Sequence, residues 1–312
     1  MNAETQLAGL DPRTARRHAG AVLKQLLGSA PSEVKALGGG LSNFVFAVRH
    51  SKQDYVLRMN AAPGKVKDYL KEQWAMARAA EQGVPVPEVL EVGAHPLPFM
   101  VSRRVPGAEG THHPDRRLVL EELGRLAKRI HAVPTNGFGQ TFDWSGNVLS
   151  RRDTWREYMD REFHGEQRLE ILQAQEMLPP RALKSLRATL REMQGWDIAP
   201  ALNHGDLRLK NVIVDEAGTI GALLDWEFST SHAAPWWDAS LALHDLSVDA
   251  KQAFLEGYGL SPAQVLEAAP VLRAFNVLNY AQAVDRAARK RDQAKLAWLR
   301  ARLHGGLEMY AF

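Results

Sequence analysis

His204-Gly205-Asp206-Leu207-Arg208-Leu209-Lys210-Asn211, followed at a distance by Asp225, is the stretch on which the fold turns. It sets out a carboxylate, an amide and a second carboxylate, in that order. Between Asn211 and Asp225 lie two short apolar runs, Val212-Ile213-Val214 and Ala222-Leu223-Leu224, on either side of Glu216-Ala217-Gly218. Two short apolar runs around a glycine turn predict a hairpin. Its pairing would leave Asp206 and Asn211 on the loop before the first strand and Asp225 at the end of the second. Three polar groups distant in sequence would then meet. A carboxylate able to take a proton from an attacking hydroxyl, with two oxygen donors suited to Mg²⁺, is the equipment of phosphoryl transfer.

Upstream of this stretch the pattern is rich in strands. Asp11-Pro12 can open a helix that runs over Thr14–Leu27 and closes near Gly28. β-Rich runs follow around Val34–Leu37, Phe44–Arg49 and Tyr55–Met59. Tyr69–Ala80 has helical spacing, and Val84-Pro85-Val86-Pro87 cannot be helical because each proline restricts itself and its predecessor. Two more strand-like runs, Glu88–Val92 and Pro98–Val105, precede Pro106-Gly107. Beyond that break the expected helices are Leu118–His131, Thr154–Leu172, Arg181–Met193, Asp238–Leu246, Ala250–Tyr258, Pro262–Ala288 and Gln293–Tyr310. The reading is an α+β protein, with a β-rich part over residues 1–104 and a mainly helical part over 105–312.

Composition removes several function classes. The chain has 312 residues, 45% of them hydrophobic, and no cysteine, so disulfides, thiolate metal sites and cysteine nucleophiles are excluded. No run of apolar residues is long enough to span a bilayer, and the polar start lacks the features of a signal peptide. A cytoplasmic protein without membrane partners is expected. The net charge of +3 is unevenly placed. Residues 1–104 carry 14 Lys+Arg against 9 Asp+Glu, whereas 212–288 carry 3 against 10. A basic first part suits a polyanionic nucleotide, and an acidic later part suits a cationic co-substrate. The basic residues are scattered and not interleaved with aromatics, which argues against nucleic acid.

Gly38-Gly39-Gly40-Leu41-Ser42-Asn43 lies between two expected strands. No Lys-Ser/Thr follows, so it is not a Walker A loop. Glycines without Cβ would let backbone N–H groups approach phosphates, with Ser42 and Asn43 adding side-chain donors, which makes Gly39, Gly40, Ser42 and Asn43 candidate nucleotide contacts.

Protein kinases use an H-R-D-L-x-x-x-N loop followed later by D-F-G. Here Gly205 replaces the Arg, and the later triplet is Asp225-Trp226-Glu227. With those changes the chain resembles the aminoglycoside phosphotransferase-like family of small-molecule kinases, from about residue 34 onward. The resemblance implies a protein kinase-like bilobal fold with the nucleotide between the lobes. Asp206 would orient and deprotonate the acceptor hydroxyl, Arg208 would touch the transferred phosphoryl group, and Asn211 and Asp225 would hold Mg²⁺. Arg58 stands where a kinase strand carries its phosphate-binding Lys, with Glu72 as its ion-pair partner. Backbone groups of Val101, Ser102 and Arg103 would meet the base. His204 and His131 would be structural, Asp238 would brace the loop, and Lys210 would face solvent.

The same resemblance implies ATP as donor, with GTP as the alternative, and transfer to a hydroxyl of a small cationic molecule. An aminoglycoside leads, which would make antibiotic resistance the role. Glu157, Asp160, Glu227, Glu256 and the tail Glu308–Phe312 are the candidate acceptor contacts. A metabolic kinase of a homoserine-, choline- or sugar-type acceptor is the first alternative, and a nucleotide-binding pseudokinase scaffold the second. A monomer or dimer would serve either.

Overall fold

The computed structural model describes residues 12–37, 43–141, 143 and 152–308. The expected phosphate contacts Gly39, Gly40 and Ser42, the Asp11 cap and the tail beyond Glu308 lie outside them. Two compact units emerge: Met1–Ala108 with Val212–Glu227, and Glu109–Asn211 with Phe228–Phe312. A division at 104/105 assigns the hairpin to the helical part, whereas its residues cluster with the sheet.

The first unit is built on a five-stranded antiparallel sheet. Helix α1 (Pro12–Leu27) precedes β1 (Glu33–Leu37), β2 (Phe44–His50) and β3 (Gln53–Met59). Helix α2 (Lys65–Glu81) leads to β4 (Val89–Gly93) and β5 (Phe99–Arg103). The strand order is β1-β2-β3-β5-β4. Side chains alternate along β3: Tyr55, Leu57 and Met59 join Ala15, Ala19, Val22 and Leu23 of α1 in one buried cluster. Period-2 alternation therefore sends Arg58 to the opposite face. Helix α2 is a turn longer at its start than the sequence pattern suggests.

Strand β6 (Ala108–Glu109) begins the passage into the second unit. There α3 (Arg116–His131) is followed by α4 (Trp155–Tyr158), a π-helical turn at Met159–Phe163, α5 (Gly165–Ala174) and α6 (Pro180–Gln194). The continuous helix expected over Thr154–Leu172 is thus broken. His164 takes a left-handed φ of 51°, which ends the first segment and starts a new one. Strand β7 (Ala201–Asn203) comes next, then the hairpin strands β8 (Val212–Val214) and β9 (Ile220–Leu223), then β10 (Thr230–His232). The chain closes with α7 (Trp236–Ala242), α8 (Val248–Tyr258), α9 (Pro262–Asn279), α10 (Ala281–Arg289) and α11 (Gln293–Glu308). The helix expected over Pro262–Ala288 divides at Tyr280.

Helices α3 and α8 approach through glycines. A Cβ on Gly257 would lie 1.9 Å from the Glu121 carbonyl oxygen, and one on Gly124 would lie 2.1 Å from that of Phe254. The larger core of this unit gathers Trp155, Phe163, Trp237, Phe275 and leucines of α5, α6 and α11. Trp237 is a core residue. No helix among the described residues is long and apolar enough to cross a membrane.

Candidate functional site

The His204–Asn211 stretch is a tight loop after β7. Antiparallel pairing of β7 with β10 opposes Asn203 to Thr230 and Leu202 to Ser231, which fixes the chain where it enters the loop. Gly205 then turns with φ +82°, and a Cβ there would sit 2.3 Å from the Phe228 carbonyl oxygen. Any side chain at 205 would be both strained and obstructed. The loop ends in a 3-10 turn at Leu209–Asn211, closed by the Asn211 amide donating to the Arg208 carbonyl at 2.9 Å.

That turn folds the loop around Asp206, which is 7% exposed. Asn211 Nδ2 donates to Asp206 Oδ2 at 2.9 Å and to the Asp206 carbonyl at 2.8 Å. Lys210 Nζ lies 2.8 Å from Oδ2, and Arg208 Nε lies 2.7 Å from Oδ1. Burial pushes the Asp206 carboxyl upward, but Lys210, Arg208 and Asn211 together hold it below the usual aspartate value. Asp206 is therefore an ionised acceptor at neutral pH. Lys210 corrects its sequence assignment: its stem is half-exposed, yet its ammonium turns back on Asp206.

Asp238, in the first turn of α7, braces the loop from beneath. Its Oδ2 accepts from the His204 amide and its Oδ1 from the Gly205 amide, both at 2.7 Å. His131 Nε2 lies 3.0 Å from Oδ2, and His131 Nδ1 lies 3.0 Å from the Tyr258 hydroxyl. His131 thus ties α3 and α8 to the brace instead of merely packing. Burial opposes ionisation of Asp238, and His131, with His204 and the Gly205 amide, outweighs it, so this carboxyl is held below its ordinary value. His204 is fully buried, and its Nδ1 accepts from the Asp206 amide at 3.2 Å.

The first unit carries a second constellation. Arg58 Nη2 lies 2.5 Å from Glu72 Oε1, with Glu72 wholly buried on α2. The Arg58 guanidinium also sits over the Tyr69 ring, 5.2 Å from its centroid, and the Tyr69 hydroxyl donates to Asn43 Oδ1 at 2.9 Å. Burial raises the Glu72 carboxyl above its usual value, against the pull of Arg58; Asp225 and Glu227 add to the rise. Asp225 has φ 64°, a left-handed conformation that costs a non-glycine residue on the order of 1 kcal/mol. Beyond it Trp226 is fully buried, its indole N–H donating to the Leu223 carbonyl at 3.0 Å. Lys71 Nζ donates to the Glu227 carbonyl at 2.7 Å, and Lys65 Nζ lies 3.2 Å from the Glu227 carboxylate. The hairpin is anchored to this unit by the Leu223 amide, which donates to the Pro85 carbonyl at 2.8 Å.

A model of the phosphotransferase enzyme family matches residues 33–275. The chain belongs to that family. Among curated members, hygromycin-B 4-O-kinase of Escherichia coli is 26% identical over 206 residues, a stretch covering 62% of this chain and 57% of that enzyme. The solved structure of aminoglycoside phosphotransferase APH(4)-Ia superposes with a TM-score of 0.72 at 21% identity, covering 95% of this chain and 99% of that one. Macrolide 2'-phosphotransferase MphH from Brachybacterium faecium superposes with a TM-score of 0.64 at 18% identity, covering 91% and 96%. The fold is kinase-like, with a sheet-based first unit and a mostly helical second unit, as the resemblance implies.

Within the units, the sequence candidates are unevenly placed. Asp206, Arg208 and Asn211 converge in the second unit, while Arg58, Glu72 and Asn43 share one network in the first. Val101 and Ser102 lie in β5, paired with Leu57 and Val56 of β3. The Arg103 amide is already given to the Glu88 carbonyl at 2.8 Å, and its side chain pairs with Glu88 and Gln53. The acceptor candidates each have a partner of their own. Glu256 pairs with Arg117 at 2.8 Å, Asp160 accepts from Gln194 at 3.2 Å, Glu157 lies 3.9 Å from Arg161, and Glu227 is held by Lys65. Sequence reasoning missed Lys65, Lys71 and Lys210. Only Lys210 had a signal, its i+4 spacing from Asp206.

Proposed function

We propose that this chain is an ATP-dependent kinase of a small hydroxylated molecule, with aminoglycosides the leading acceptor class. The observation that carries the reading is the Asp206 loop: a buried carboxylate, kept ionised and aimed by Asn211, Arg208 and Lys210, on a backbone braced by Asp238. Asp206 accepts the proton of the attacking hydroxyl and orients its oxygen. Arg208 and Lys210 balance charge on the phosphoryl oxygens as the group moves from ATP to acceptor. Arg58, held by Glu72 and Tyr69, grips the nucleotide phosphates as a planar fork.

The residues present fit Mg²⁺. Because Asn211 gives its Nδ2 hydrogens to Asp206, its carbonyl Oδ1 remains as a hard oxygen donor, and Asp225 adds a carboxylate. Bound there with nucleotide, the ion would neutralise charge on the β- and γ-phosphate oxygens. Asn211 and Asp225 are its proposed ligands.

The acceptor class rests on the likeness to hygromycin-B 4-O-kinase and APH(4)-Ia, the latter also solved with AMP-PNP and hygromycin B. A panel of hygromycin B, kanamycin, a macrolide, homoserine and choline, each with ATP and with GTP, tests it. Transfer to an aminoglycoside is expected. Transfer only to homoserine or choline would make it a metabolic kinase, and no transfer to any acceptor with hydrolysis absent would refute the reading.

A further inference from the structure

Helix α2 carries two consecutive buried charges that serve different partners. Glu72 faces β3 and holds Arg58; Lys71, only 7% exposed, turns about a hundred degrees around the helix and donates to the Glu227 carbonyl. At the start of the same helix, Lys65 takes the carboxylate of the same Glu227. Glu227 is thus clasped at backbone and side chain by one helix. It stands two residues after Asp225, whose left-handed backbone must be imposed by its surroundings. On the near side the turn is held by Trp226, buried and bonded to the Leu223 carbonyl. On the far side the holding is done by the two lysines. Asp68, 3.2 Å from Lys65, stands with Glu72 and Glu227 around the Lys71 ammonium and offsets part of the burial that pulls it below the ordinary lysine value.

We infer that Lys71, with Lys65, is a positioning residue that fixes the Asp225-Trp226-Glu227 turn and thereby the orientation of the Asp225 carboxylate toward its cation. Helix α2 then sets the phosphate-gripping Arg58 and the cation-binding Asp225 together, through adjacent residues. A surface lysine would do neither. This inference rests on the proposed role of Asp225, and the two are tested side by side.

The experiment measures Mn²⁺ binding, by electron paramagnetic resonance, to the full-length protein with AMP-PNP, Mn²⁺ standing in for Mg²⁺. Metal-free AMP-PNP affinity and thermal unfolding are measured on the same samples. K71M is expected to weaken Mn²⁺ binding about 10–100-fold, the usual effect of losing a group that orients a metal ligand. Metal-free nucleotide affinity should stay within about twofold, and K71R should recover most of the Mn²⁺ affinity because it still donates to the carbonyl. Asp225→Asn is the reference. If it leaves Mn²⁺ binding unchanged, the assignment of Asp225 fails. If it weakens binding while folded K71M and K65Q bind Mn²⁺ as the wild type does, the positioning inference alone is overturned. Should K71M not fold, K65Q decides: it cuts the carboxylate half of the same clasp, and wild-type Mn²⁺ affinity in it would overturn the inference.

Discussion

At the scale of single residues, the site depends on groups whose neighbours leave them no freedom. Gly205 is the sharpest case. Its φ is positive, and the Phe228 carbonyl oxygen lies 2.3 Å from where a Cβ would stand, so Gly205→Ala must shift the backbone that carries Asp206. Urea unfolding should show a loss of about 1–3 kcal/mol, and turnover should fall more than nucleotide affinity. His232 offers a pH test. It is buried among Trp155, Tyr158, Trp237 and Phe275, its ring stacked 4.5 Å from Trp237, and its Nδ1 accepts from the Ala233 amide at 2.8 Å. Burial pushes its imidazole down to about 3 from the ordinary 6.5. The unfolded chain therefore takes up the proton first as pH falls. Stability from this group is whole above about pH 6.5 and declines toward pH 3, by about 1 kcal/mol between pH 7 and 5.5. Unfolding curves of His232→Asn, which retains an acceptor but cannot titrate, should show a flatter slope across that interval; an unchanged slope would place the titration elsewhere.

At the scale of elements, α2 is the organising piece of the first unit. Glu72→Gln removes the negative partner of a guanidinium that is 19% exposed, leaving that charge without its buried counterion. A loss of about 3 kcal/mol on chemical denaturation is expected, together with a raised KM for ATP. Stability within about 0.5 kcal/mol of the wild type, the range of ordinary surface changes, would mean that the pair carries no weight. Much of this architecture could be read from the sequence, because β3 carries the apolar run Tyr55-Val56-Leu57 between turn residues and Arg58, and the β8–β9 hairpin is written as two apolar runs about a glycine turn. The short strands β7 and β10 were illegible: Asn203, Thr230, Ser231 and His232 are buried polar residues, which no apolar pattern announces. The break at His164 was equally hidden, since nothing in the residue type demands a left-handed backbone. Lys71 was invisible for a related reason, as lysine is read as solvent-facing until a specific carbonyl is found for it.

At the scale of the whole molecule, the proposed reaction is written more plainly than its substrate. Phosphoryl transfer needs a few groups in a fixed order along the chain, and Asp206, Asn211 and Asp225 keep that order. Acceptor recognition is spread over helix-surface carboxylates that many proteins carry, and Glu157, Asp160, Glu227 and Glu256 are each engaged with a different internal partner. The kinase-like fold is shared with enzymes named for aminoglycosides and for a macrolide, so the fold by itself does not choose between them. The role proposed for Asp206, as the group that receives the hydroxyl proton, is independent of that choice. Steady-state transfer from Mg·ATP to the acceptor selected by the panel, compared between wild type and Asp206→Ala, probes that role without intermediary. A fall in kcat of about 10²–10⁴-fold with nucleotide affinity nearly unchanged is expected. Wild-type turnover in Asp206→Ala would contradict it.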